Sequence, residues 1–104
     1  MLKKQFRLDA RKRLTNAKAF STPLFTALIC HNGLPHIRCG VIVGKKVSKK
    51  AVERNRIRRL IVTKVQENHI KHSLGMDVLF LVKKKPEDEK QLTADVVATL
   101  EKLP

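Results

Sequence analysis

The densest group of chemically active side chains lies in residues 45–59, here called the basic segment. Its single acidic residue is Glu53. Arginine dominates its second half, and the planar guanidinium group makes bidentate contacts with phosphates and with guanine edges. This composition predicts a binding site for a polyanion. The eight basic residues of the segment are Lys45, Lys46, Lys49, Lys50, Arg54, Arg56, Arg58 and Arg59.

Helical periodicity indicates how these side chains are presented. Apolar residues recur every four positions at Ile57, Ile61 and Val65, which is typical of a helix with one buried stripe. With the helical repeat, Arg54 and Arg58 fall on that same stripe, whereas the other arginines point away from it. The first two turns are therefore basic all round, and they cannot pack on a sheet without burying unpaired charge. We expect them to project beyond the core and to face a partner.

The chemistry of that partner follows from the same residues. Arg54 and Arg58 are like-charged neighbours one helical turn apart, and an anion would relieve their repulsion. The start of the helix adds backbone N–H groups suited to phosphate. No helix-turn-helix, zinc finger or basic zipper arranges the arginines for the major groove of DNA, so the sequence favours folded RNA and no DNA partner. A merely solvated charged face is the alternative.

Length and charge limit the remaining possibilities. The chain has 104 residues, with 23 Lys and Arg against 9 Asp and Glu and a net charge of +14, and this length suits one domain. Its apolar runs fall far short of the ~20 residues of a membrane span, and no apolar stretch of a secretory signal is evident. We expect a cytoplasmic protein with no membrane partner.

Cysteine, histidine and acidic residues give no pattern of a catalytic or metal site. Cys30 and Cys39 lack metal-ligand spacing and are expected to be free thiols in two neighbouring strands. No Ser-His-Asp or paired-carboxylate arrangement is apparent. We assign no catalytic residue and no metal ligand, which disfavours an autonomous metal-dependent nuclease.

The order of helices and strands predicts an α+β fold, a single-domain α-β sandwich with helices over a mixed or antiparallel sheet. Thr15 would cap a first short helix and Pro23 would forbid its continuation. Asn32 and Gly33 suit a hairpin reversal. The expected elements are a basic arm over residues 1–14, a helix at 16–21, paired antiparallel strands at 24–31 and 36–43, a long helix at 51–68, a strand at 77–83 and a helix from about residue 91, capped at Thr93 or nearby.

Residues 45–60, with Arg54-Asn55-Arg56 at their centre, resemble the signature of the bacterial ribonuclease P protein component. Residues 38–44 and 77–84 resemble the family's flanking strands, and Arg13-Leu14 with Phe20 resembles its N-terminal motif. The resemblance implies a subunit of the ribonucleoprotein endonuclease that removes 5′ leaders from precursor tRNA. Ribonuclease P RNA and precursor tRNA would be its partners, and the RNA would hold the catalytic Mg²⁺ while the protein assists.

The resemblance also implies a fold and site residues. The family order is α-β-β-(β)-α-β-α, with a left-handed β-α-β crossover. A cleft between the first helix and the sheet would hold the single-stranded leader, with Arg11, Arg13, Phe20 and Arg38 as candidate contacts. Phe20 would either stack on an unpaired base or pin the first helix to the core. RNA contacts are expected at Lys45, Lys46, Lys49, Lys50, Arg54, Asn55, Arg56, Arg58 and Arg59.

One connection departs from the family pattern. The family carries further residues, including a second aromatic, between the position of Phe20 and the next strand, whereas here Ser21-Thr22-Pro23 leads almost directly to Leu24. The departure concerns the leader cleft and leaves the basic segment intact. Charge and size alone would also suit a ribosomal or other structural RNA-binding protein with no role in cleavage.

Overall fold

The computed structural model describes residues 17–33, 37–68 and 75–102. The expected arm at residues 1–14 lies outside these ranges. The described residues form four strands and two helices, in agreement with the predicted α+β class. In chain order these are β1 (Lys18–Ser21), β2 (Phe25–His31), β3 (Arg38–Val43), α1 (Ala51–Asn68), β4 (Met76–Val82) and α2 (Glu89–Glu101).

The four strands form one mixed sheet in the order β1-β2-β4-β3. Strand β4 is antiparallel to β2 and parallel to β3, so helix α1 is the crossover between two adjacent parallel strands. The predicted pairing of β2 with β3 is therefore wrong, because β4 lies between them. Local turn residues at 32–33 indicated a reversal of direction but could not show that a later strand fills the gap. The handedness of the crossover stays a prediction.

One face of the sheet is covered by the helices. Phe25 and Phe80 lie on this helix-covered face, both fully buried, with ring centroids 5.3 Å apart in an edge-to-face arrangement. The expectation that both rings belong to the core is confirmed. The apolar side chains of this face pack with the buried residues of the helices in one cluster. Leu79 is also buried, but it lies on the opposite face and outside that cluster. The helices contribute Ile57, Ile61, Val65, Leu92, Val96 and Leu100 to it.

Residues 18–21 were expected to end a short helix, and this prediction is wrong. They form β1, which pairs antiparallel with β2. The two strands are joined by a tight turn in which the N–H of Thr22 donates to the carbonyl of Phe25 at 2.8 Å. The Thr22 hydroxyl accepts from the N–H groups of Leu24 and Phe25. Strand pairing outweighs helical capping because a helix of only residues 16–21 is too short to be stable on its own.

The helix boundaries match the sequence closely for α1 and less closely for α2. Helix α1 covers the predicted residues 51–68. Helix α2 begins two residues earlier than expected, because Asp88 is its N-cap and accepts from the N–H of Lys90 at 2.9 Å. Neither helix is both long enough and apolar enough to cross a membrane in the part of the chain that is described.

Neither Cys30 nor Cys39 forms a disulfide within the described residues, as expected. They lie in β2 and β3, so β4 separates them and the expectation of neighbouring strands is wrong. Burial raises the pKa of the Cys39 thiol to about 12. Cys39 is therefore a core residue that remains protonated near neutral pH.

Candidate nucleic-acid interface

The basic segment begins where β3 leaves the sheet. A turn follows the strand, with the N–H of Val47 donating to the carbonyl of Gly44 at 3.0 Å. The Ser48 hydroxyl then accepts from the N–H of Lys50 at 3.2 Å, immediately before α1 starts at Ala51. These local bonds give the lysine-rich connection a defined path into the helix.

The first turns of α1 lie outside the core. None of residues 44–56 is buried, and Ile57 is the first buried residue of the helix. Val52 is 80% exposed although it is apolar. The structure thus agrees with the prediction that the start of this helix projects beyond the core.

Two arginines on the buried side of the helix are held by nearby oxygen atoms. The Nη1 atom of Arg54 donates to the carbonyl of Ser48 at 2.9 Å, which ties the helix to the preceding connection. The Nη1 atom of Arg58 donates to Oδ1 of Asn55 at 2.9 Å. Both side chains are half-buried. Neutral acceptors satisfy part of each guanidinium without cancelling its charge.

Ion pairs involve another part of the segment. Arg56 pairs with Glu89 at the start of α2, and Glu53 pairs with Lys85 in the β4–α2 connection. The Nζ atom of Lys50 lies 4.0 Å from Oε1 of Glu53. The Lys85 ammonium group lowers the pKa of Glu53, and the Arg56 guanidinium lowers that of Glu89.

Four cations of the segment remain available to a partner. Each is exposed and has no ion pair or side-chain hydrogen bond within the described part of the chain. Their electrostatic field is therefore uncompensated locally, which favours capture of a polyanion. The four are Lys45, Lys46, Lys49 and Arg59.

The candidate leader contacts are not brought together. Phe20 lies opposite Ala27 in the β1–β2 register, on the helix-covered face, and packs against the core with Lys102 Nζ 5.5 Å from its ring centroid. Arg38 lies opposite Asp77, on the other face of the sheet. Residues 18–21 supply no helical wall for the expected cleft. Arg11 and Arg13 lie outside the described residues.

Sequence reasoning missed the acidic partners of these arginines. The Nε and Nη2 atoms of Arg38 donate to the two carboxylate oxygens of Asp77, at 2.8 and 2.7 Å. Asn32 also donates to Asp77, at 2.9 Å. Asp77 and Glu89 lie 39 and 33 residues from their partners, so no local spacing connects them. For Asp77, the one sequence signal of such a role was an isolated acidic residue at the start of a strand predicted to be buried.

No metal site is formed by the described side chains. Within residues 17–33, 37–68 and 75–102, no three His, Cys, Asp or Glu residues come together as metal ligands. The described side chains of the basic segment are mainly cations and hydrogen-bond donors, the groups that suit an anionic partner.

The sequence matches a known protein family. The Ribonuclease P family model matches residues 2–104. The chain is 37% identical over 84 residues to the ribonuclease P protein component of Chromobacterium violaceum, covering 80% of this chain and 66% of that protein. It is 36% identical over 87 residues to the corresponding component of Pseudomonas aeruginosa, covering 73% of this chain and 64% of that protein.

The fold has a solved counterpart. The RNase P protein from Thermotoga maritima matches with a TM-score of 0.79 at 23% identity, over 94% of this chain and 97% of that one. The matched part of this chain covers just under two thirds of the length of the two curated relatives. Because the family model extends over nearly every residue, the chain belongs to the Ribonuclease P family.

Proposed function

We propose that this chain is the protein subunit of ribonuclease P. It binds the catalytic RNA through the basic segment and assists endonucleolytic removal of the 5′ leader from precursor tRNA. Family membership supports this role. The observation that carries it is the projecting start of α1, where no residue before Ile57 is buried. Cations that have no partner among the described residues are exposed on both the connection and the helix.

Binding would draw its free energy mainly from these cations. Each phosphate that Lys or Arg neutralises releases condensed counterions, so affinity depends strongly on salt concentration. Arg54 and Arg58 already have fixed positions through Ser48 and Asn55, and they can direct their remaining N–H groups to phosphate or base edges. The basic segment would therefore anchor the protein and also set its orientation on the RNA.

The chemistry of cleavage is proposed to reside in the RNA, which would hold the Mg²⁺ ions. Three acids of the described region support this division of labour, because each one faces a cation. Glu53 pairs with Lys85, Asp77 with Arg38, and Glu89 with Arg56. These carboxylates neutralise and orient basic side chains, which is a binding role and leaves the reaction to the partner.

For the leader, Arg38 is the described candidate on the face of the sheet that the helices do not cover. Its side chain is 22% exposed, and half-buried Thr26 and Leu28 lie on the same face. Ile42, further along β3, is 38% exposed. A single strand of RNA could lie across this mixed polar and apolar surface without demands on base identity.

Reconstitution tests the proposal. Adding the chain to a bacterial ribonuclease P RNA at low Mg²⁺ should raise the rate of precursor-tRNA cleavage above that of the RNA alone. A variant with Lys45, Lys46, Lys49 and Arg59 replaced by Ala should lose this gain. Lys64→Ala, on the same helix but outside the basic segment, is the matched control. Absence of any gain, together with co-purification with ribosomes, would instead favour a structural RNA-binding protein.

A further inference from the structure

Two ion pairs on one side of α1 join its first turns to the β4–α2 connection and to the first residue of α2. Glu53 pairs with Lys85, and Arg56, three residues later, pairs with Glu89. Residues three apart lie on the same side of a helix, so both contacts face the segment that runs from Lys85 to Glu89. A small cavity of about 70 Å³ lies between the two segments and is lined by these four side chains and by Ile57, among others. The start of α2 therefore supports one side of the basic segment.

The contact between Arg56 and Glu89 uses only one edge of the guanidinium. Nε and Nη2 donate to the two carboxylate oxygens, with Nη2 3.1 Å from Oε2. Nη1 and the second N–H of Nη2 form another edge that the carboxylate does not occupy. Arg56 is 68% exposed, so this free edge is accessible to a phosphate.

Glu89 has a defined backbone position and is ionised at neutral pH. It is the first residue of α2, directly after the N-cap Asp88, whose carboxylate accepts from the N–H of Lys90. A carboxylate in the first helical turn is stabilised by the helix dipole. The Arg56 guanidinium lowers the pKa of Glu89, so the side chain is ionised at neutral pH.

We propose that Glu89 is a positioning residue for RNA recognition, holding the Arg56 guanidinium so that its free edge meets a phosphate of the RNA. The inference rests on the proposed function, because it requires Arg56 to contact RNA. Simple electrostatics predicts the opposite effect of Glu89, since an acid near an RNA site repels phosphate. The sign of the effect of removing Glu89 therefore distinguishes positioning from repulsion.

Binding of the full chain to an in vitro transcribed bacterial ribonuclease P RNA measures that sign. Because an arginine ordered before binding loses less freedom on contact, Glu89→Gln should weaken binding by about 3- to 10-fold. Glu89→Asp should restore part of the loss. Glu87→Gln is the matched control, since it removes an exposed acid of the same connection that makes no contact with Arg56, and it should leave binding unchanged or tighter.

A double-mutant cycle shows whether Glu89 acts through Arg56. In the Arg56→Ala background, Glu89→Gln should have no further effect on RNA affinity. The melting temperature of the double variant should match that of the unsubstituted chain, because exposed ion pairs add little stability. Equal or tighter binding by the single Glu89→Gln variant, or a loss that persists without Arg56, would overturn the inference. If Arg56→Ala itself leaves RNA binding unchanged, the RNA role of Arg56 fails, and this inference fails with it.

Discussion

Arg38 and Asp77 face each other at the start of the parallel strands β3 and β4, joined by two hydrogen bonds of 2.8 and 2.7 Å. Asp77 is only 3% exposed, and Asn32, directly after β2, donates to the same carboxylate. The Asp77 hydrogen bond raises the pKa of Arg38, which stays charged throughout the ordinary pH range. One buried carboxylate thus connects three strands at one end of the sheet.

Removing Arg38 should leave that buried carboxylate short of its main partner. We expect Arg38→Met to lower the free energy of unfolding by about 3 kcal/mol, because an uncompensated buried charge is costly. Urea denaturation followed by circular dichroism would measure this loss. Adding Asp77→Asn to the same variant should recover much of it, since the amide carries no charge. An equal loss in the single and double variants would contradict this explanation.

Arg59 is expected to make a direct phosphate contact, because it is exposed and has no partner in the described residues. Arg59→Ala should reduce the slope of the logarithm of RNA affinity against the logarithm of salt concentration by about 1. Filter binding at salt concentrations from about 50 to about 200 mM would measure this slope. Lys64→Ala should leave the slope unchanged.

The double variant Arg54→Ala with Arg56→Ala should weaken RNA binding and flatten its salt dependence. Part of the loss should come from the connection before α1, because Arg54 holds the Ser48 carbonyl. Comparing the salt slope with the affinity separates the two contributions, since a disordered connection weakens binding without removing a phosphate contact. A weaker affinity with an unchanged slope would argue against direct phosphate contact by either arginine.

Phe20 should behave as a core residue. We expect Phe20→Ala to lower the free energy of unfolding by about 2 kcal/mol, because the ring is partly buried against the core, while Phe20→Leu should cost less. Precursor-tRNA affinity of the reconstituted enzyme should be unaffected in the stable Phe20→Leu variant. If that variant binds precursor tRNA less tightly at unchanged stability, the ring contacts RNA after all.

Patterns within a few residues of one another predicted the structure well. The stripe of Ile57, Ile61 and Val65 identified α1 with its boundaries, because burial of one helical face imposes a local period. The density of cations in the basic segment likewise predicts a candidate RNA site, since charge is visible in composition alone, and that assignment stays a prediction. Projection of the first turns followed from arginines that interrupt the buried stripe.

Features that depend on contacts between residues far apart in the sequence could not be predicted from local patterns. Strand pairing of Lys18–Ser21 overrode the expected helix, and insertion of β4 separated two strands expected to pair. The role of Arg38 in binding Asp77 and of Arg56 in binding Glu89 also depends on long-range contacts. Sequence shows which side chains carry charge, whereas the sheet topology determines which of them are already neutralised.

The central place of β4 has a consequence for synthesis on the ribosome. Strand β3 has β4 as its sheet neighbour in the described fold, and β2 pairs with β4 along its whole length. A nascent chain that has emerged only as far as α1 can pair β1 with β2 but cannot complete the sheet. The arginine-rich helix is thus made before the surface that orients it, and tertiary folding must wait for roughly the last quarter of the chain.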